Sequence, residues 1–173
     1  MQSVNNKKIA YVSLLVAIAL IFSYVEILIP FNFGIPGVKL GLANVISIIS
    51  IYLFGPYIAL VIVVLRILLS GFLFGNLYSI LYSLCGGILS IIVMSVIKKT
   101  NKFSLYGVSM CGGVFHNIGQ LIVAMITVNQ MKISYYGPIL IVSGMIMGLL
   151  VGFLSNQILI RLKHMFDSDK IIS

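Results

Sequence analysis

Long apolar runs with little charge between them are the feature that most limits what this chain can fold into. Of its 173 residues, 61% are hydrophobic and only 8% are charged. Soluble domains have roughly a quarter of their residues charged. The one clearly polar stretch inside the chain runs from Lys98 to Lys102. The sequence therefore predicts an all-α integral membrane protein, with residues 1–173 forming a single membrane domain.

The number of crossings follows from the lengths of the apolar runs. A helix needs about 20 apolar residues to cross a hydrocarbon core, so the chain has room for about six. Proline, glycine and asparagine break the pattern between runs. The predicted helices cover residues 9–29, 38–54, 57–74, 77–97, 104–128 and 135–162. No cleavage pattern follows the first run, so we expect it to be retained.

The distribution of basic residues predicts the orientation. Lysine and arginine accumulate in cytoplasmic loops, and the Lys98–Lys102 loop and both tails carry most of the +8 net charge. We therefore expect a six-transmembrane-helix bundle in the plasma membrane, with both termini cytoplasmic. Only Lys39 and Lys132 would then lie outside. Because the charge is explained by topology, the lipid bilayer is the expected partner and nucleic acid is not.

Motifs for catalysis are missing from the sequence. It has no phosphate-binding loop, no aspartate-rich magnesium motif, and no Ser-x-x-Lys or His-Glu-x-x-His pattern. Cys85 and Cys111 lack the spacing of a metal site. We therefore predict no catalytic residue, no metal and no cofactor, and a transport or binding subunit rather than an enzyme.

Polar side chains inside apolar runs are costly and indicate function. Arg66 is placed about 16 Å from Gly55, near mid-bilayer. His116, Asn117 and Gln120 share about one helical turn, at a similar depth. Arg66 is either a structural residue satisfied by its neighbours or part of a ligand site. The other three either join helices by hydrogen bonds or line a hydrated cavity.

Two further positions have alternative interpretations. Glu26 and Lys39 are expected at the outer end of the bundle, where they could form an ion pair. Lys39 could instead attract an anionic solute that enters from outside. Tyr82 lies deeper than Tyr78 on the fourth helix, where it would either line a cavity or pack in the core.

Small residues at four-residue spacing indicate close helix packing. Gly144, Gly148 and Gly152 form such a stripe on the last helix, and Ser13 and Ala17 form one on the first. The stripes serve either packing within the bundle or docking onto another membrane subunit.

Several sequence blocks resemble a known family. They are Lys39-Leu40-Gly41-Leu42-Ala43-Asn44, Leu65-Arg66 with Gly75-Asn76, Gly86-Gly87, and Phe115-His116-Asn117-Ile118-Gly119-Gln120-Leu121. The family is called both heptaprenyl diphosphate synthase component I and Gx transporter family. The six-helix layout more distantly resembles the substrate-binding S-components of energy-coupling factor (ECF) transporters.

The S-component resemblance implies partners and a site. It implies an ECF energising module, made of a coupling membrane protein and two ATPases, that docks at Ser13, Ala17, Ala19 and Ser23. The implied function is capture of a small anionic solute from outside, such as a flavin, a vitamin, or a quinone or isoprenoid precursor. Substrate-binding residues would be Arg66, His116, Asn117, Gln120, Lys39 and Tyr82.

The synthase label implies a different role. An enzyme that elongates prenyl chains would need magnesium-binding aspartates, which this sequence lacks. The chain would then be a non-catalytic membrane accessory subunit of isoprenoid or quinone biosynthesis, or of a membrane redox system.

Overall fold

The computed structural model describes residues 2–29 and 41–168, and side chains for residues 6–29 and 41–162. All secondary structure in this part of the chain is helical, which confirms the predicted all-α class. Its helices are α1 (Gln2–Leu28), α2 (Leu42–Leu53), α3 (Pro56–Phe74), α4 (Leu77–Lys99), α5 (Leu105–Val128) and α6 (Gly137–Ser168), with a short 3-10 helix (Met131–Tyr136) before α6.

Five helical segments within the described residues are long and apolar enough to cross a membrane. They are Asn6–Leu28, Pro56–Phe74, Leu77–Lys99, Leu105–Val128 and Met131–Leu162. α2 has 12 residues, which gives a length of about 18 Å, against a hydrocarbon core of about 30 Å. The membrane-type fold is thus confirmed, whereas the six-crossing count and the orientation of the termini stay predictions.

The second helix differs from the predicted range of residues 38–54. Residues 38–40 lie outside the described part, and Gly41 has a left-handed backbone with φ 71°. Glycine adopts this conformation without the steric cost that a side chain brings. The helix therefore begins at Leu42, four residues later than the hydrophobic pattern indicated.

Two other helices are longer than their apolar runs. α1 begins at Gln2 and includes Lys7 and Lys8, since lysine is a good helix former. α6 continues to Ser168. An apolar run predicts the part of a helix that can lie in the hydrocarbon core, and the helix itself can continue beyond that run.

The core of the bundle is built around α2. Its buried side chains include Val45, Ile48, Ile49 and Ile51, each at most 2% exposed. α2 packs against α1, α3 and α6 and more lightly against α4. At its C-terminal end, Lys98 Nζ donates a hydrogen bond to Ile51 O (2.7 Å). The shortest of the described α-helices is therefore the one most enclosed by protein.

Glycines bring α5 and α6 into close contact. A Cβ atom on Gly144 would lie 2.9 Å from Gly113 O and from the backbone of Val114. A Cβ on Gly148 would lie 2.7 Å from Ser109 O, and one on Gly152 would lie 2.9 Å from Ser109 Cβ. The glycine stripe of α6 thus lies against α5, inside the bundle.

The small residues of α1 do not form one surface. Ser13 and Ala17 are exposed, but Ala19 is fully buried and Ser23 is 9% exposed. Docking at these four residues stays a prediction, and of the four only Ser13 and Ala17 are accessible in the described bundle. The two pairs lie on different sides of the helix because Ala19 follows Ser13 by six residues, well over one and a half turns.

Candidate ligand cavity

The predicted polar residues of α3 and α5 line one cavity. Its volume is about 330 Å³, and Arg66, His116, Asn117 and Gln120 are all part of its wall. Small-molecule sites typically enclose roughly 300–1,000 Å³, so this cavity has room for a small solute or for one end of a larger one.

Arg66 lies in the wall and makes one side-chain hydrogen bond to the described residues. Its side chain is 8% exposed, and Nη1 donates to Ser23 Oγ at 3.3 Å. Ser23 Oγ in turn donates to Ala19 O (2.9 Å), which leaves its lone pairs for the guanidinium. Among the described residues, Nε of Arg66 is buried and has no hydrogen-bond partner. A guanidinium has five N–H donors, so the described residues satisfy only part of it.

Glu26 lies near Arg66 in the same cavity wall. Its charge attracts that of Arg66, but no ion pair joins the two within the part of the chain described here. Glu26 Oε1 accepts a hydrogen bond from Gly41 N (2.6 Å), which ties α1 to the start of α2. Whether Glu26 pairs with Lys39 stays a prediction, because Lys39 lies outside the described residues.

A glycine on α4 makes room for the polar side chains of α5. A Cβ on Gly86 would lie 2.7 Å from His116 O, 3.1 Å from Gln120 Cγ and 3.2 Å from His116 Cε1. Across the same crossing, a Cβ on Gly119 would lie 2.8 Å from Gly86 Cα. The Gly86–Gly119 contact therefore holds His116 and Gln120 against α4 and at the cavity.

Asn117 has a role in helix packing. Its Nδ2 donates to Leu140 O (2.8 Å) and to Ser143 Oγ (3.3 Å), both on α6. This geometry matches the helix-joining interpretation for Asn117, although the residue also lines the cavity.

The sequence interpretation missed several polar groups of the cavity wall. They come from five helices: Ser23, Asn44, Ser70, Ser79, Ser83, Ser90 and Ser109. Some are already bonded to backbone, since Ser90 Oγ donates to Gly112 O (2.9 Å) and Ser109 Oγ donates to Gly148 O. The spacing of Ser79 and Ser83 on one face of α4 was the available signal. Nothing in the sequence showed that this face turns toward Arg66.

Tyr82 lines a different cavity. This second cavity has a volume of about 540 Å³ and lies between α4, α5, the 3-10 helix and the start of α6. Ser79 and Gln120 line both cavities. The interpretation that groups Tyr82 with Arg66 is therefore not matched by the geometry, because Tyr82 is absent from the wall that contains Arg66.

The short α2 begins at the depth of Arg66. Asn44 precedes Phe54 by ten residues and Arg66 follows Pro56 by ten, and the turn at Gly55 joins their two helices. Gly41, Ala43 and Asn44, from the N-terminal end of α2, all line the Arg66 cavity. A helix N-terminus carries a partial positive charge, so its field adds to that of the guanidinium.

The side chains at the site do not form a metal centre. No group of three or more His, Cys, Asp or Glu residues suited to a metal ion occurs in the described ranges 2–29 and 41–168. The polar wall consists of hydroxyls, amides, one guanidinium, one imidazole and one carboxylate, which are groups that bind solutes by hydrogen bonds and charge.

Comparison with known protein families decides where the chain belongs. A family model described as heptaprenyl diphosphate synthase component I matches residues 15–158. The chain belongs to this family. Among curated proteins and among solved structures, no match was found.

The family match confirms the recognition made from the sequence blocks. Residues 15–158 of this heptaprenyl diphosphate synthase component I family member include Arg66, His116, Asn117 and Gln120. The more distant resemblance to S-components stays a prediction.

Proposed function

We propose that this protein is a membrane-embedded binding subunit that holds a small anionic solute in the Arg66 cavity. The observation that carries the proposal is a guanidinium that is 8% exposed and whose Nε has no hydrogen-bond partner among the described residues. Arginine stays protonated in proteins, and an unpaired charge at this depth is costly. A ligand oxygen would supply the missing partner.

The chemistry of the wall favours a carboxylate or phosphate group. Guanidinium binds both in a two-pronged geometry, and such charge-assisted bonds are roughly twice as strong as neutral ones. The N-terminus of α2, with Asn44 in the same wall, adds a second source of positive potential. Anions are bound well at such helix ends.

Glu26 limits how much negative charge the site can take. Its carboxylate offsets part of the Arg66 charge, and the Gly41 N–H bond holds it at the cavity. A solute with one acceptor group for Arg66 and a donor for Glu26 suits this pair better than a compact polyanion. His116, Gln120 and the serine hydroxyls provide further donors and acceptors that could orient it.

The finer form of the proposal is an S-component-like role in uptake. The protein would lie in the plasma membrane with both termini cytoplasmic, capture the solute from outside and release it inward. Energy would come from a coupling membrane protein and two ATPases. The exposed pair Ser13 and Ala17 on α1 supports docking there, since small residues allow close helix approach.

The family description favours a second candidate function. It names a component of heptaprenyl diphosphate synthase, and five apolar helices suit a membrane subunit that anchors a partner. In that role the cavity would bind a ligand for regulation or presentation, without transport.

Substitution of Arg66 tests the binding proposal. The protein would be purified from its native membrane as wild type, as Arg66→Gln, and as Arg161→Gln, a control at an exposed position of α6. Hydrogen bonds to charged groups contribute about 1.5–3 kcal/mol each, so loss of one should weaken binding at least about tenfold. We expect mass spectrometry to find an anionic small molecule with wild type and Arg161→Gln, but not with Arg66→Gln.

Equal recovery of the small molecule with folded Arg66→Gln would remove Arg66 from the site and refute the proposal. Proteins recovered in the same preparations separate the two roles. Two ATPases and a second membrane protein would support uptake, whereas a prenyl synthase subunit would support the accessory role.

A further inference from the structure

The second cavity differs in chemistry from the Arg66 cavity that it adjoins. Its wall is formed mainly by aromatic and aliphatic side chains: Tyr78, Tyr82, Leu121, Ala124, Ile133, Tyr136 and Leu140. The wall of the Arg66 cavity also contains apolar side chains such as Ile48 and Phe74, but it alone has a guanidinium, a carboxylate and several serine hydroxyls. Ser79 and Gln120 belong to both walls, so these two side chains form the boundary between a more polar space and a more apolar one.

We propose that the two cavities together bind one amphiphilic anion. Its charged head group would lie at Arg66, and its apolar chain would pass between Ser79 and Gln120 into the second cavity. This inference rests on the proposed function, because it assumes that Arg66 binds an anion, and it adds the chemical class of the ligand.

The two boundary residues differ in mobility. Ser79 is fixed by a capping box, in which Ser79 N donates to Asn76 Oδ1 (2.9 Å) and Ser79 Oγ accepts from Asn76 N (3.0 Å). Ser79 Oγ also donates to Asn76 O (2.7 Å). Gln120 is half-buried and makes no side-chain hydrogen bond among the described residues. The side chain of Gln120 can therefore change rotamer and let the apolar part of a ligand pass, while Ser79 on α4 stays in place.

The sizes of the cavities favour one ligand in both. A fully polar solute would use the 330 Å³ space and leave the larger apolar cavity of about 540 Å³ unused. A fully apolar ligand would leave the buried guanidinium unsatisfied, which costs free energy. An amphiphile matches both walls, and the combined space is within the roughly 300–1,000 Å³ range of ligand sites.

A series of n-alkyl phosphates tests the inference. Ethyl, butyl and hexyl phosphate carry the same head group and are water-soluble, so calorimetric titration is possible with the full chain in lipid nanodiscs. Each methylene that moves from water into an apolar site adds about fourfold in affinity. We expect hexyl phosphate to bind at least about tenfold tighter than ethyl phosphate, and hexanol to bind without dependence on Arg66.

A matched pair of variants on α5 tests whether the alkyl chain of the ligand lies in the second cavity. Ala124→Phe fills the second cavity, whereas Ile126→Phe places the same ring at a position that is 74% exposed. We expect Ala124→Phe to abolish the gain from chain length, so that hexyl phosphate binds no tighter to this variant than ethyl phosphate does. Ile126→Phe should keep the gain.

The outcomes separate the inference from the function on which it depends. Equal affinities for ethyl and hexyl phosphate would refute the inference that an amphiphilic ligand occupies both cavities. A chain-length gain that persists in Ala124→Phe would refute it as well. In either case, binding that depends on Arg66 would still support the anion site. If neither the alkyl phosphates nor alkyl carboxylates of the same chain lengths showed binding that Arg66→Gln removes, the proposed function itself would be refuted.

Discussion

Gly144→Ala tests the close packing of α5 and α6 on which the cavity wall depends. The added Cβ would lie 2.9 Å from three backbone atoms, Gly113 O and the Cα and N of Val114. Ordinary van der Waals contact begins near 3.4 Å, so the helices must separate by about half an ångström. Because these neighbours are backbone, no side chain can rotate away.

The magnitude follows from two opposing contributions. Overpacking typically costs about 1–3 kcal/mol, and replacing glycine by alanine in a helix contributes about 1 kcal/mol of stability. Gly107→Ala on α5 is the control, since its nearest neighbour is the Phe103 ring at 3.3 Å, which is exposed and can move. Both variants gain helix propensity, so this contribution largely cancels when their free energies of unfolding are compared. The remaining difference is the packing cost at Gly144, about 1–3 kcal/mol.

Thermal unfolding in detergent measures this difference. The sequence has no tryptophan and two cysteines, and both thiols are partly buried and outside any disulfide. A thiol-reactive dye therefore reports unfolding. At about 2–4 °C per kcal/mol for a chain of this size, a packing cost of about 1–3 kcal/mol should make Gly144→Ala melt about 2–12 °C below Gly107→Ala. Melting temperatures within about 1 °C of each other would refute the reasoning that this contact limits the packing.

Two further predictions concern Lys98 and the topology. Lys98→Met should lower stability by about 1.5–3 kcal/mol, because a charged hydrogen bond to Ile51 O is lost, whereas exposed Lys99→Met should have little effect in the same melting assay. In a background with Cys85→Ala and Cys111→Ala, single cysteines at Lys102 and Lys132 should be labelled from opposite sides of the membrane, with Lys102 inside, since α5 separates them. Labelling of both from one side would contradict a membrane-crossing α5.

The helical architecture could be predicted because hydrophobicity alone determines it. α3, α4 and α5 begin and end within two residues of the ranges expected from their apolar runs and breaks. The late start and the enclosed position of α2 could not be predicted, because Ile46–Leu53 is mainly apolar whether it crosses lipid or lies inside protein. Burial among other helices and the left-handed Gly41 distinguish the two cases, and both depend on tertiary structure.

The candidate site was partly predictable for a related reason. Arg66 and His116 attract attention because a buried ionisable group is rare in such a sequence. Ser23 and Glu26 have other interpretations in the sequence, a docking position for Ser23 and an ion pair with Lys39 for Glu26, and neither interpretation points to Arg66. Their place beside Arg66 depends on how α1 crosses α3, and no local pattern encodes that crossing.

The starting point of α2 has a consequence for ligand size. This helix lies within protein, so bilayer thickness does not dictate its length, and its first residues border the space that Arg66 faces. Each residue added ahead of Leu42 would advance the helix end by about 1.5 Å into that space. The length of α2 therefore limits the size of the molecule that the Arg66 cavity can hold. An insertion of one helical turn ahead of Leu42 would fill part of the cavity without a substitution of any side chain that lines it.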